Sequence, residues 1–298
     1  MNKWIKAFRL RTLPLALSSI LMGGFAAFGD GYSNWLVLIF AVITTLLLQI
    51  LSNLANDYGD FVKGTDNDQR LGPERALQSG AIDKKSMKRM IYLFVIMSFF
   101  SGVVLIIQSF GWEMLGKSFL FLVVGIIAIW AAIRYTVGLK AYGYSGLGDL
   151  FVFIFFGLVA VIGTYFLIAI RVELSILLPA ITLGLFSTAI LNLNNLRDVK
   201  NDEASNKMTL VVKYGFEKGR HYHAFLIVGG WIAILSYIQL KFSDLSPYLI
   251  LLSLPFFIRN LVVVYRVKDE QKLDPELKNL ALSISLFTLL FGLGLALI

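Results

Sequence analysis

The chain has 298 residues, 57% of them hydrophobic and 15% charged, with no cysteine and a formal net charge of +8 at pH 7. Its mean hydropathy is +0.75, whereas a soluble domain carries about 25% charged residues and less than half apolar ones, so an ordinary aqueous enzyme is excluded. The absence of cysteine excludes disulfides and thiolate metal sites, and two histidines argue against a histidine-rich zinc or iron centre. Any metal is then held by oxygen ligands, which favours magnesium or a similar hard cation.

Nine apolar runs follow one another: Leu13–Phe28, Trp35–Leu54, Met90–Ile107, Phe119–Ile133, Leu150–Ile170, Leu174–Leu196, Ala224–Leu240, Pro247–Val264 and Leu280–Ile298. Most approach the ~20 residues that carry a helix across ~30 Å of hydrocarbon. They are too long and continuous for the alternating strands of a barrel. The fold class expected is therefore all-α, a polytopic membrane protein with nine transmembrane helices in a single domain over residues 1–298. The first run, behind Lys3, Lys6, Arg9 and Arg11, reads as a retained helix rather than a signal peptide, because eight more spans follow and no small-residue cleavage site stands out.

Charge orients these spans. With the N-terminus inside, the inward segments hold 23 of the 27 Lys and Arg, and the outward loops only Lys117, Arg171 and Lys241. That bias predicts a multi-pass membrane protein oriented N-in, C-out. It accounts for the positive net charge through the anionic inner leaflet, without nucleic acid.

Two inward segments, about 55–89 and 197–223, are acidic as well as basic. The first opens Asn53-Leu54-Ala55-Asn56-Asp57-Tyr58-Gly59-Asp60, with Lys63 and Asp66 beyond; the second opens Asn192-Leu193-Asn194-Asn195-Leu196-Arg197-Asp198 and reaches Asp202. Asp57 and Asp60 are spaced i, i+3, and the pairs Asn56–Asp60 and Asp198–Asp202 i, i+4, so each pair shares a helical face. Carboxylates this close to a membrane are costly and mark candidate functional sites. The motifs follow spans two and six and both begin Asn-Leu-x-Asn, which hints at a duplicated four-helix unit with a ninth helix added. A solvated helix end is the plain alternative for either motif alone. Together with Lys63, Arg70, Arg75, Lys140, Arg197 and Lys207, the two suit a diphosphate clamped by magnesium and neutralised by cations. Such a clamp stabilises a departing pyrophosphate.

Asn56-Asp57-x-x-Asp60 and Asp198-x-x-x-Asp202 resemble the two Asp-rich motifs of the UbiA superfamily of intramembrane aromatic prenyltransferases. Within it the chain looks most like the 1,4-dihydroxy-2-naphthoate polyprenyltransferase branch of menaquinone synthesis. Arg11-Thr12-Leu13-Pro14, Asp60-Phe61-Val62-Lys63-Gly64-Thr65-Asp66, Arg70-Leu71-Gly72-Pro73-x-Arg75-Ala76 and Tyr135-Thr136-Val137-Gly138 support the likeness, as do Gly146-Leu147-Gly148-Asp149-Leu150-Phe151 and Asn194-Asn195-x-Arg197-Asp198. The chain departs from the superfamily pattern at Gly64, where Asp is frequent, at Leu139, with Lys140 one place on, and at Leu10, where Pro is frequent.

The resemblance implies a UbiA-like fold whose site faces the cytoplasm. It implies Mg2+ held by Asn56, Asp57, Asp60, Asp66, Asp198 and Asp202, and a diphosphate held by Lys63, Arg70, Lys140, Arg197 and Lys207. Asn56, Asp60, Asp198, Asp202 and Tyr135 would serve catalysis. Polyprenyl diphosphate and 1,4-dihydroxy-2-naphthoate are the implied substrates, demethylmenaquinone the product and membrane lipid the surroundings; 4-hydroxybenzoate is the rival acceptor. A secondary transporter, the rival outside enzymes, would carry its polar residues near mid-membrane. His221 and His223 read as surface residues. Tyr135 is either an interfacial anchor or a site residue, Asp149 either an N-cap or a site member, and Arg259 with Asn260 either pairs with another helix or snorkels.

Overall fold

The computed structural model describes residues 3–66 and 71–298. Among them are no strands, and nine helices long and apolar enough to cross a membrane. These are α1 (Lys3–Gly29), α2 (Trp35–Lys63), α3 (Lys84–Phe110), α4 (Leu115–Arg134), α5 (Gly148–Ala169), α6 (Leu174–Ala204), α7 (Phe216–Lys241), α8 (Ser246–Arg266) and α9 (Glu270–Ala296). Helix is the only open structure that satisfies its own backbone in lipid, so each long apolar run takes it. Polar residues set the ends. Asn34 accepts from Val37 N at 3.1 Å to start α2, and Asp83 accepts from Ser86 N at 2.9 Å to start α3. Gly64, at φ 74°, closes α2 in the left-handed conformation that favours glycine.

Two helices outrun their apolar segments, and this corrects the reading of the acidic motifs as loops. The second run ends at Leu54 but α2 continues to Lys63; the sixth ends at Leu196 but α6 continues to Ala204. Both motifs are therefore helical turns. Asn56 and Asp60 of the first and Asp198 and Asp202 of the second line an internal cavity instead of lipid, so nothing stops the helix where the apolar run stops. Conversely α1 is broken near its start, where Arg9 adopts φ 50° between a first segment, Lys3–Phe8, and a 3-10 turn, Leu10–Thr12.

The apolar side chains pack into two groups. The larger joins α1 and α5 to α9 with the first half of α2, around Phe186, Phe257, Phe287 and Tyr165. The smaller joins the end of α2 and the start of α3 with Ala76, Leu77 and Ile82 of the connecting segment. A cavity of about 460 Å3 lies between them, walled by α1 to α6 and α9.

His223 corrects the sequence reading: it is buried, not at the surface, with Nε2 2.9 Å from Asn260 Oδ1. Asn260 in turn donates to Glu276 Oε2 at 3.2 Å, and Arg259 reaches Glu276 Oε1 at 3.1 Å, so that pair binds another helix. Polar groups of α7, α8 and α9 thereby pair with one another, as most buried polar groups do. His221 remains exposed beside Tyr265.

Candidate active site

The last turns of α2 and α6 bring Asn56 and Asp60 to one side of the cavity and Asn194, Asp198 and Asp202 to the other. Both sets are spaced i, i+4, so each occupies neighbouring positions on successive turns of its helix. Hydrogen bonds hold the two helix ends together. Asn201 Nδ2 donates to Thr65 O at 3.0 Å, and Tyr144 Oη donates to Asp60 Oδ1 at 2.8 Å while lying 2.6 Å from Thr65 Oγ1. Asp66 also lines the cavity, with Arg75 Nε 3.6 Å from its Oδ1.

Asp57 does not join this set. One residue past Asn56 it is turned about 100° around the helix, is buried, and accepts from Ala76 N at 3.3 Å. It anchors the segment after α2 and does not line the cavity.

The expected cations divide. Lys207 lines the cavity and donates to Asp202 Oδ1 at 3.1 Å. Burial alone would lower its pKa, but Asp202, then Asp60 and Asp198, outweigh that and hold it above the usual lysine value. Lys63 Nζ sits 3.7 Å above the Tyr144 ring, beside Asp60 but outside the cavity wall. Lys140 is exposed, and Arg70 lies outside the described residues. Arg197 is not a cavity residue: it is 1% exposed, and Nε and Nη2 grip Asp198 at 2.8 and 2.6 Å. Its remaining contacts are Asp274 at 2.5 Å and Asn194 at 2.8 Å. So enclosed, its guanidinium fixes the side chains of Asp198 and Asn194.

Behind the polar end the cavity is walled by rings. Tyr135, Tyr142, Phe151 and Phe155 all line it, at successive centroid distances of 5.4, 3.9 and 6.2 Å. Burial, then the charges of Asp149, Asp60 and Asp202, raise the Tyr135 pKa, so the hydroxyl stays protonated at neutral pH. Tyr135 is thus a cavity residue and not merely an interfacial anchor. Asp149 is not an N-cap: it stands in the first turn of α5, buried, and accepts from Tyr222.

Among the described residues, no three carboxylate or imidazole groups stand close enough to hold a metal unaided. The donor set still suits a hard cation shared with a ligand. All the facing groups are oxygen donors, and Asp202 Oδ2 and Asn201 Oδ1 are buried without a hydrogen-bond partner. Magnesium completes such a partial shell with phosphate oxygens and water.

Several cavity residues were not singled out from the sequence. Asn194 stands one turn before Asp198, so extending the i, i+4 stripe backwards finds it. Asn201 and Lys278 carry no comparable signal, nor does Tyr144, which is outside the cavity lining but donates to Asp60. Arg9 and Arg11 reach the cavity through the break in α1, which periodicity does not show.

Residues 16–287 match the model of the UbiA prenyltransferase family. The chain is 43% identical over 298 residues to the 1,4-dihydroxy-2-naphthoate octaprenyltransferase of Haemophilus influenzae, covering 99% of this chain and 96% of that one. Its fold is that of a UbiA homolog from Aeropyrum pernix, with TM-score 0.70 and 13% identity over 97% of this chain and 98% of that one. A UbiA homolog from Archaeoglobus fulgidus bound to DMAPP and Mg2+ superposes with TM-score 0.61 and 14% identity over 99% and 100% of the two chains.

Proposed function

The chain belongs to the UbiA prenyltransferase family, and from that premise we propose that it transfers a polyprenyl group from polyprenyl diphosphate to 1,4-dihydroxy-2-naphthoate, releasing pyrophosphate and carbon dioxide. One observation carries the reading: a single cavity has two facing oxygen-donor stripes at its polar end and an aromatic, apolar chamber behind them. A diphosphate fits the first part and an oily chain the second. The acceptor follows the name of the Haemophilus influenzae relative.

Asn56, Asp60, Asp66, Asn194, Asp198 and Asp202 would hold Mg2+, which when bound offsets the charge of the leaving pyrophosphate. Lys207, kept as an ammonium, donates to the diphosphate oxygens, with Lys63 adding positive potential close by. As the allylic C–O bond breaks, its electron pair leaves with pyrophosphate. The ring faces of Tyr135, Tyr142 and Phe151 then stand where cation–π attraction lowers the energy of the allyl cation. The electron-rich ring carbon that bears the carboxylate bonds to the terminal allyl carbon. Its bond to the carboxylate breaks, the electron pair returns to the ring, and carbon dioxide departs in the place of a ring proton. No general base is needed for this step.

The basic residues beside the acidic helix ends favour a site that opens toward the cytoplasm, with the N-terminus on that side and the chain in the bacterial inner membrane. Dihydroxynaphthoate labelled in its carboxyl carbon tests the reaction. Purified protein given polyprenyl diphosphate and Mg2+ should release labelled carbon dioxide in step with prenylated product. Prenylated 4-hydroxybenzoate that keeps its carboxylate, with no turnover of the naphthoate, would overturn the acceptor assignment.

A further inference from the structure

Lys84, Lys85, Lys88 and Arg89 occupy the first two turns of α3, and all four are exposed. This is an unfavourable place for them. The helix dipole is positive at an N-terminus, and the pairs 84/88, 85/88 and 85/89 set like charges at i, i+3 or i, i+4. Asp83 is the acid beside them, and its carboxylate is engaged by Ser86 N and Oγ at 2.9 and 2.7 Å. Among the described residues, no carboxylate forms an ion pair with any of the four.

The four cations with Tyr58 and Tyr92 line a groove between the end of α2 and the start of α3, on the side of α2 away from the substrate cavity. Aromatic faces hold two of the ammoniums: Lys84 Nζ lies 5.2 Å from the Phe61 ring and Lys88 Nζ 5.4 Å from Tyr58. Below the cations the same helical face turns apolar. Tyr92 stands one turn beyond Lys88 and Ile96 one turn beyond Tyr92, 68% and 53% exposed. From Lys88 to Ile96 this strip runs about 12 Å at 1.5 Å per residue, most of the way to the middle of a ~30 Å hydrocarbon core. A soluble anion would use the cations and leave this strip idle; an amphiphile uses both.

We propose that this groove binds an anionic phospholipid of the adjacent leaflet, one whose headgroup carries two phosphates, with an acyl chain along Tyr92 and Ile96. Four cations match a headgroup of more than one negative charge, and the bound lipid removes the like-charge conflict at the start of α3. The site is separate from the prenyl-transfer cavity and does not depend on the reaction assigned to it.

Delipidated full-length protein, titrated with cardiolipin and followed by thermal midpoint and native mass spectrometry, tests this. The triple variant Lys84→Gln/Lys88→Gln/Arg89→Gln is compared with Lys218→Gln/Arg266→Gln/Lys268→Gln, which removes equal charge from exposed residues at the ends of α7 and α8. At about fivefold per cation the first triple should lose about a hundredfold in cardiolipin affinity, while the second stays within a fewfold. Phosphatidylglycerol at equal total charge should bind more weakly, and the response to soluble pyrophosphate should be the same in both triples. If the first triple does not fold, Lys88→Gln alone should still lose about fivefold by native mass spectrometry. Equal losses in the two triples would reduce the groove to general surface charge. Unchanged cardiolipin binding in the first triple, or in Lys88→Gln, would overturn the site.

Discussion

Replacing Arg197 by Lys separates two roles that differ in kinetics. If the guanidinium orients Asp198, the fork is what matters; if it binds diphosphate, the charge is. In the structure Nε and Nη2 hold both Asp198 oxygens at 2.8 and 2.6 Å, and the remaining donors reach Asp274 and Asn194. A single ammonium cannot span the Asp198 carboxylate and also reach Asp274 and Asn194. At least one charge-assisted hydrogen bond is lost, about 1.5–3 kcal/mol. If that loss appears as misorientation of Asp198 in the transition state, kcat falls by about ten- to a hundredfold. The apparent Mg2+ requirement should rise with it, while KM for polyprenyl diphosphate stays within a fewfold. Arg197→Ala should be worse in a different way. It strands the Asp198 carboxylate, 6% exposed, at a cost of about 3–5 kcal/mol in stability, visible as a lower melting midpoint in detergent. The measurement is initial rate against both diphosphate and Mg2+ for the parent and Arg197→Lys. A raised KM for diphosphate with unchanged kcat and Mg2+ dependence would refute the orienting role and restore Arg197 as a ligand of the substrate.

Asp60→Asn and Asp198→Asn should each lower kcat by at least about 10²–10³, and the double variant should add less than tenfold, because one broken side already disables a shared clamp. Chelation of Mg2+ should abolish activity, and its return should rescue the parent but neither variant; activity within a fewfold in both Asn variants would remove the clamp. Tyr144→Phe deletes the hydroxyl that donates to Asp60 at 2.8 Å, and kcat should drop by about tenfold, the worth of one hydrogen bond to a charged acceptor. Gly59→Ala would place a Cβ 2.5 Å from Thr136 Oγ1 and 2.7 Å from the Thr136 carbonyl carbon. Overpacking there should cost about 1–3 kcal/mol, and an unchanged melting midpoint would show that the end of α2 has room to shift. Single cysteines at Ser33 and Ser79, both exposed, test orientation: an impermeant reagent outside the cell should label the first and spare the second, and the reverse pattern would invert the topology.

The nine spans, the all-helical class and the residue types of the site are legible from the sequence for one physical reason. Lipid cannot satisfy a backbone amide, so a long apolar run has helix as its structure whatever it packs against. Asn56, Asp60, Asp198 and Asp202 are legible too, because i, i+4 spacing puts polar side chains on one stripe before any partner is known. The direction in which a polar side chain points between neighbours was decided only by tertiary contact. Asp57 and Asp60 are the same residue three positions apart, yet one caps a segment at Ala76 and the other faces the cavity. Arg197 is basic and adjacent to Asp198, as a phosphate ligand would be, but Asp274, 77 residues along the chain, completes its enclosure. His223 sits in a basic stretch and becomes buried only because α8 and α9 bring Asn260 and Glu276 to it. In each case the deciding group lies on a different helix or beyond the end of the residue's own, and the rotation of one helix against the next is set by packing that no local pattern contains.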